Sequence, residues 1–400
     1  MLFRSTGLLV GSSGTVGTLN MASNVITGLS STGSTGGAVT GISNSAPSTT
    51  TNISGNTLNN YSSTSTTATV AGISTAASSN IFGNVISTIT SLSSTSGVTN
   101  GIMATGGTAV NIFKNKIYDL SATGTFATTP GVNGIVLSGS TSGVTATTYN
   151  NIIGDLRAGA SASADAIRGI SVTATGTTST YNVYFNSVWI NASSIGATFG
   201  TSGVFHAASA TATTAKLDLR NNIIVNTSAP GGTGGNTVAF RRSGGGIATT
   251  LNNYASTSNN NLFYSGTPAA NRLIYFDGTD SAQTIGSYRN GAFAAGSISP
   301  RDNVSFSEKP NFLSTTGSNS NFLKINTTIA TQLESGAVNI SGITDDFEGD
   351  IRQGNAGYGG SGTAPDVGAD EFNGILADLT GPAINYTLLG NVAAGSSRAF

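Results

Sequence analysis

Few side chains in this sequence could do chemistry, and the best pair is Asp119 and Asp155, with Lys116 and Arg157 close by. Two carboxylates held together can share a proton, one raising the other's pKa, or can hold a cation such as calcium through their oxygens. The competing reading makes them turn residues neutralised by the adjacent cations, which is the commoner fate of charged pairs. A second acidic group, Asp345, Asp346, Glu348 and Asp350, also offers oxygens, but its spacing is not that of an EF-hand loop and Arg352 follows it, so a structural role is expected. His206 is the only histidine, and no second histidine or recognisable Ser or Cys constellation accompanies it. It reads as a packed or surface residue and not as a base. Ser243-Gly244-Gly245-Gly246 lacks the Gly-Lys-Ser/Thr ending of a phosphate loop and reads as a plain loop. Tyr118, Tyr149, Tyr181, Tyr184 and Trp189 form an aromatic-rich stretch, of which Tyr184, Trp189 and Tyr118 are the candidates for stacking on sugar rings. No residue is assigned a catalytic role.

These side chains need elements to position them, and the composition narrows which. The chain has 400 residues, 8% charged, with a formal net charge of -1. Such a balance attracts neither nucleic acid nor an anionic membrane by bulk electrostatics. There are no cysteines, which excludes disulfides and Cys-based zinc sites, and no apolar stretch approaches the length of a membrane span. Polarity comes instead from Ser, Thr, Asn and 54 glycines, a composition that suits a secreted surface. The opening apolar run is too short for a signal peptide, and the start reads as lying inside a longer chain.

A repeat organises the apolar residues. The pattern Asn-[Ile/Val]-x-x-Asn-x-[Ile/Leu/Val] anchors at Asn24, Asn56, Asn84, Asn115, Asn151, Asn186, Asn222 and Asn261. Two positions on stand Ile26, Leu58, Ile86, Ile117, Ile153, Val188, Ile224 and Phe263, all apolar. Four positions before stand Asn20, Asn52, Asn80, Asn111, Thr147, Asn182, Asp218 and Thr257, all small and polar. A Gly-Ile or Gly-Val landmark recurs at Gly41, Gly72, Gly101, Gly134, Gly169 and Gly203. Helical repeats fail because Gly, Thr, Ser and Asn are poor in helix interiors, and leucine-rich repeats fail for want of leucine. A β-propeller is the alternative, but its blades need more residues than most of these units have. The spacing predicts an all-β, right-handed parallel β-helix of about eight coils. Equivalent asparagines would then stack about 4.8 Å apart and hydrogen-bond along the stack. Asp119 and Asp155, each four residues after an anchor, would be neighbours in consecutive coils.

Ladders of Asn-x-Ile with Gly-Ile strands resemble the right-handed β-helix repeats of the pectate-lyase-like superfamily. The stretches Thr344–Arg352 and Pro365–Phe372 resemble the closing element of large bacterial surface β-helix proteins. The resemblance implies secretion, cell-surface display and carbohydrate association. Residues 1–308 are expected to form the coils, 309–374 a capping segment, and 375–400 a linker and the start of an immunoglobulin-like module of a larger multidomain chain. The expected function is a non-catalytic structural or adhesive module that contacts glycans, with no cofactor unless calcium. The alternative is a polysaccharide lyase or glycoside hydrolase on the same scaffold, which a stacked set of at least three acids beside an exposed Arg or Lys in a groove would mark; the sequence offers two acids and leans against it. Thr-Ala-Thr at Thr67, Thr145, Thr173 and Thr211 raises ice binding, against which stands its irregular register.

Overall fold

The computed structural model describes residues 5–11, 14, 16–33, 35–125, 130–243, 250–294 and 296–379. Residues 380–400, most of the expected immunoglobulin-like module, and Gly244–Gly246 of the glycine-rich loop lie outside them. The chain is an all-β parallel solenoid of about eight turns, and not a propeller. Each turn contributes one strand in succession to three sheets. In the third turn these are Thr69–Thr75 in the first sheet, Ser79–Phe82 in the second and Val85–Ser91 in the third. The first sheet has ten strands, of which the last, Ser281–Ala282, is antiparallel. The second has seven.

The anchors stand at the corner between the second and third sheets. At all eight corners the residue before the asparagine has a positive φ: Ser23, Gly55, Gly83, Lys114, Asn150, Phe185, Asn221 and Asn260, between 52° and 63°. Five of the eight are Gly or Asn, the residues that tolerate this left-handed region best. The turn aims each asparagine inward, where all but Asn24 are fully or almost fully buried. From Asn24 to Asn222 the backbone N–H and side-chain Nδ2 both donate to Oδ1 of the next anchor, at 2.8–3.1 Å. From Asn56 onward Nδ2 also donates to a main-chain carbonyl of the preceding coil, at 2.8–2.9 Å. A buried amide column would be costly half-made, and this one has its donors placed.

The ladder ends on a built terminator. Asn261 N–H donates to Ser305 Oγ at 3.0 Å and its Nδ2 to Asp302 Oδ1 at 3.1 Å. Asp302, fully buried, also accepts from the hydroxyls of Tyr254 (2.6 Å), Tyr288 (2.7 Å) and Ser305 (2.6 Å). The aligned amides present their N–H ends here, so a carboxylate is the favoured neighbour, as at a helix N-terminus.

The Gly landmark and the residue two after the anchor meet inside. A Cβ on Gly72, Gly101 or Gly134 would lie 2.5–2.6 Å from Cγ2 of Ile86, Ile117 or Ile153. The β-branched column fills the space a second side chain would need. Where the anchor column changes to Phe263, the glycine column also changes, to Ala239.

The capping expectation needs correction. The end of the inner core is closed by residues before 309: Ala282, Tyr288 of the short helix α1 (Ile285–Arg289), and Ile298, all buried against it. Residues 309–379 lie instead along the outside of the third sheet, where a second core forms. There Ile152, Ile223 and Leu262 face outward and pack with Phe322, Ile325, Leu333, Ile343 and Val367. The cause is an apolar outer column on the later coils, which water would otherwise contact. Arg352, fully buried, holds the segment down: it donates to Asn150 Oδ1 (2.9 Å), pairs with Glu371 (3.2 Å) and sits 4.0 Å over the Phe185 ring. Burial, with Glu371 beside it, pushes the Asp366 carboxyl up to about 8.

Candidate functional site

Strands of the second sheet alternate, with Ile53, Ile81 and Ile112 facing the core and their neighbours facing out. The outward positions form two columns. One is the polar column four before the anchor: Asn20, Asn52, Asn80, Asn111, Thr147, Asn182 and Asp218 pair in register. Its amides run opposite to the buried ladder, Asn52 Nδ2 donating to Asn20 Oδ1 (2.9 Å), Asn80 to Asn52 (3.0 Å) and Asn111 to Asn80 (2.9 Å). Each Nδ2 has two hydrogens and each Oδ1 two lone pairs. One of each is therefore left per rung for a ligand. Thr257 is not in this column. Leu217 pairs with Tyr254 and Arg220 with Asn259, so extra residues bulge out between them.

The second outward column stands two before the anchor. Phe82, Phe113 and Tyr149 stack face to face, with centroids 4.8 Å apart in both pairs. Ring faces are used up within the stack, and their edges form an apolar rail beside the amides. The Tyr149 phenol is pushed up to about 12 by burial and by the charge of Asp345. Above it the Tyr184 hydroxyl lies 2.8 Å from Asp218 Oδ2, and Arg220 Nε donates to Asp218 Oδ1 at 2.9 Å. The docked segment supplies the other wall through Ile340–Ile343, giving an open groove of about 750 Å³ in which Arg220 is the only charged residue among the described residues lining it.

The other sequence candidates are dispersed. Asp119 and Asp155 are brought together, as their spacing predicts, but Arg157 forms ion pairs with both, and Thr88 Oγ1 donates to Asp119 at 2.8 Å. A guanidinium thus stands where a cation would. Their column, Gly28, Asn60, Thr88, Asp119 and Asp155, has positive φ throughout, 52° to 75°, which accounts for the Asn and Asp there. Among the described residues no group of three or more His, Cys, Asp or Glu is arranged to hold a metal.

Tyr118, Tyr184 and Trp189 do not share one surface. Tyr184 is buried at the end of the second-sheet groove. Tyr118 faces out from the third sheet and packs edge-on against Phe322 of the docked segment, at 6.2 Å. Trp189 lies on that same face, partly buried against the cluster of Ile152, Phe322 and Leu323. Asp346, in the C-terminal acidic cluster, accepts from the backbone N–H groups of Glu348, Gly349 and Asp350, each at 2.8 Å, which is a turn-making role. His206 is fully buried, its Nε2 2.9 Å from the Ala215 carbonyl. The Thr-Ala-Thr motifs fall in a turn at Thr67, a second-sheet strand at Thr145, and outside strands at Thr173 and Thr211, so they make no common face. The Phe82, Phe113, Tyr149 column was not recognised from sequence, although aromatic residues stand two before four consecutive anchors, ending with Tyr184.

Compared with protein family models, curated proteins and solved structures, the chain matches none.

Proposed function

We propose that the chain is a non-catalytic binding scaffold of a secreted bacterial surface protein, which holds a neutral, hydroxyl-rich glycan lengthwise in the second-sheet groove. The observation that carries this reading is the outer amide column, which along its asparagine run Asn52, Asn80 and Asn111 repeats one free donor and one free acceptor per coil. A rung spacing of about 4.8 Å is close to the advance per sugar of an extended β-linked chain. Hydroxyls both donate and accept, so an uncharged chain suits a wall of carboxamides, and the aromatic rail offers an apolar strip for the C–H groups of the rings. Among the described residues lining the groove there is no carboxylate, and Asp218 at the end of the column is buried and occupied by Tyr184 and Arg220, which weighs against a lyase or hydrolase there. Placement at a bacterial surface rests on the composition and on the resemblance to pectate-lyase-like coils.

Titration calorimetry with neutral hexasaccharides tests it. Asn80→Ala with Asn111→Ala, both partly exposed, should weaken binding roughly tenfold, since each removes about one net hydrogen bond. Equal affinities for wild type and the double variant would exclude this groove.

A further inference from the structure

We infer a second saccharide site, selective for anionic sugars, in the groove between the third sheet and the start of the docked segment. This groove, about 660 Å³, is lined by Trp189, Tyr264, Arg272 and Lys309 together with amides and hydroxyls, and no Asp or Glu is among the described residues lining it. The acid nearest in sequence, Glu308, is turned away, its Oε2 accepting from Gln332 N–H at 3.1 Å.

Three features distinguish it from ordinary surface. Arg272 and Lys309, like Lys216 elsewhere, make no side-chain hydrogen bond or ion pair with any described residue, whereas seven other cations, Lys114, Arg157, Arg168, Arg220, Arg241, Lys324 and Arg352, are paired with carboxylates. Two unpaired cations in a groove without acids make a field that favours an anion. Trp189 pairs with Val225 and Val225 with Tyr264, so the two aromatics are two rungs apart, roughly 9.6 Å, on one column. With a valine between them their rings do not stack on each other, unlike the second-sheet aromatics, and although both pack in part against the docked segment's core, the parts left exposed in the groove offer alternate sugars of an extended chain an apolar contact. Asn191, its Oδ1 accepting from Thr227 Oγ1 at 3.3 Å, supplies a neutral contact on the same wall. Aromatic faces at alternate rungs with cations beside them define a saccharide whose rings bear a carboxylate or a sulfate ester. Arg272 can take either group with two parallel N–H donors, and Lys309 takes it as a point charge.

This site is on a different face from the neutral-glycan groove, so the two readings fail separately. The test uses three β-1,4-glucan hexamers that differ only at C6: unmodified, oxidised to the carboxylate, and sulfated. Titration at low and at moderate salt should show one or both anionic hexamers binding more tightly than the neutral one, with an affinity that falls as salt rises. Which anion wins names its source. Arg272→Gln with Lys309→Gln should lose roughly tenfold or more for the anionic ligand and leave neutral-hexamer binding and the melting temperature unchanged. Asn80→Ala with Asn111→Ala should leave anionic binding intact. Equal binding of all three hexamers, no binding of either anion, or an indifferent Arg272/Lys309 double variant overturns the inference.

Discussion

His206 lies fully buried at the end of its strand, and burial together with the neighbouring Arg242 guanidinium lowers its pKa to about 3 from the ordinary 6.5. An unfolded chain would protonate this ring near pH 6.5, while the folded chain resists until about pH 3. Below pH 6.5 the unfolded state therefore binds more protons. Its contribution is complete above that pH and is lost as pH falls, by about 2 kcal/mol at pH 5. Urea unfolding at pH 7 and pH 5 should show wild type losing that much more than His206→Gln; identical losses would mean that the ring is not kept neutral by the fold. The sequence reading made His206 a packed or surface residue because it had no catalytic companion, and its full burial beside Arg242 needed coordinates. Asp119 and Asp155 teach the converse. Their adjacency was legible from a shared offset to the anchors, and so was the competing explanation, since Arg157 is two residues away. What the spacing hid was the left-handed backbone of their column, which selects Asn and Asp without reference to any ligand.

At the scale of the strand and corner, the sequence carried more. Asparagine columns, apolar columns and the Gly-Ile landmark all appeared as fixed offsets, because stacking turns a spatial column into a sequence period. The pairing of glycine with the β-branched residue across the coil was not read, since it joins two sheets rather than two coils. It leads to a sharp expectation. At Gly101 a Cβ would stand 2.5 Å from the Gly134 carbonyl and 2.6 Å from Ile117 Cγ2, while at Gly159 nothing lies within 4 Å. Gly101→Ala should cost about 1–3 kcal/mol, as overpacking does, and Gly159→Ala should stay within about 0.5 kcal/mol. Chemical denaturation of both variants distinguishes them, and similar small losses would mean that the coils are not closely packed at this seam.

For the molecule as a whole, two cores share one sheet. Its inner face packs the solenoid and its outer face packs residues from 312 onward. The second core escaped the sequence reading because an outer apolar column is visible only once the inward and outward sides of each strand are known. Ile152, Ile223 and Leu262 stand one residue after their anchors, and the same offset holds exposed Val25 and partly exposed Thr57 in the early coils. The direction of the buried ladder has a further consequence, for how such a chain can change length. Every anchor sends its backbone N–H and one Nδ2 hydrogen forward to the next anchor, so only the last one requires a dedicated acceptor, and among the described residues Asp302 and Ser305 fill that role. Any step from one anchor to the next is then an interchangeable cassette. Removing residues 56–83, the 28-residue step between Asn56 and Asn84, brings Asn24 against Asn84 and leaves the terminator and the docked segment untouched. The shortened protein should keep its strand-type circular dichroism and a single cooperative melt, whereas loss of either would show that the coils are individually fitted. Genes encoding such a chain can lengthen or shorten by duplication or deletion of whole cassettes, and with each one gained or lost the outer amide column changes its reach by one rung.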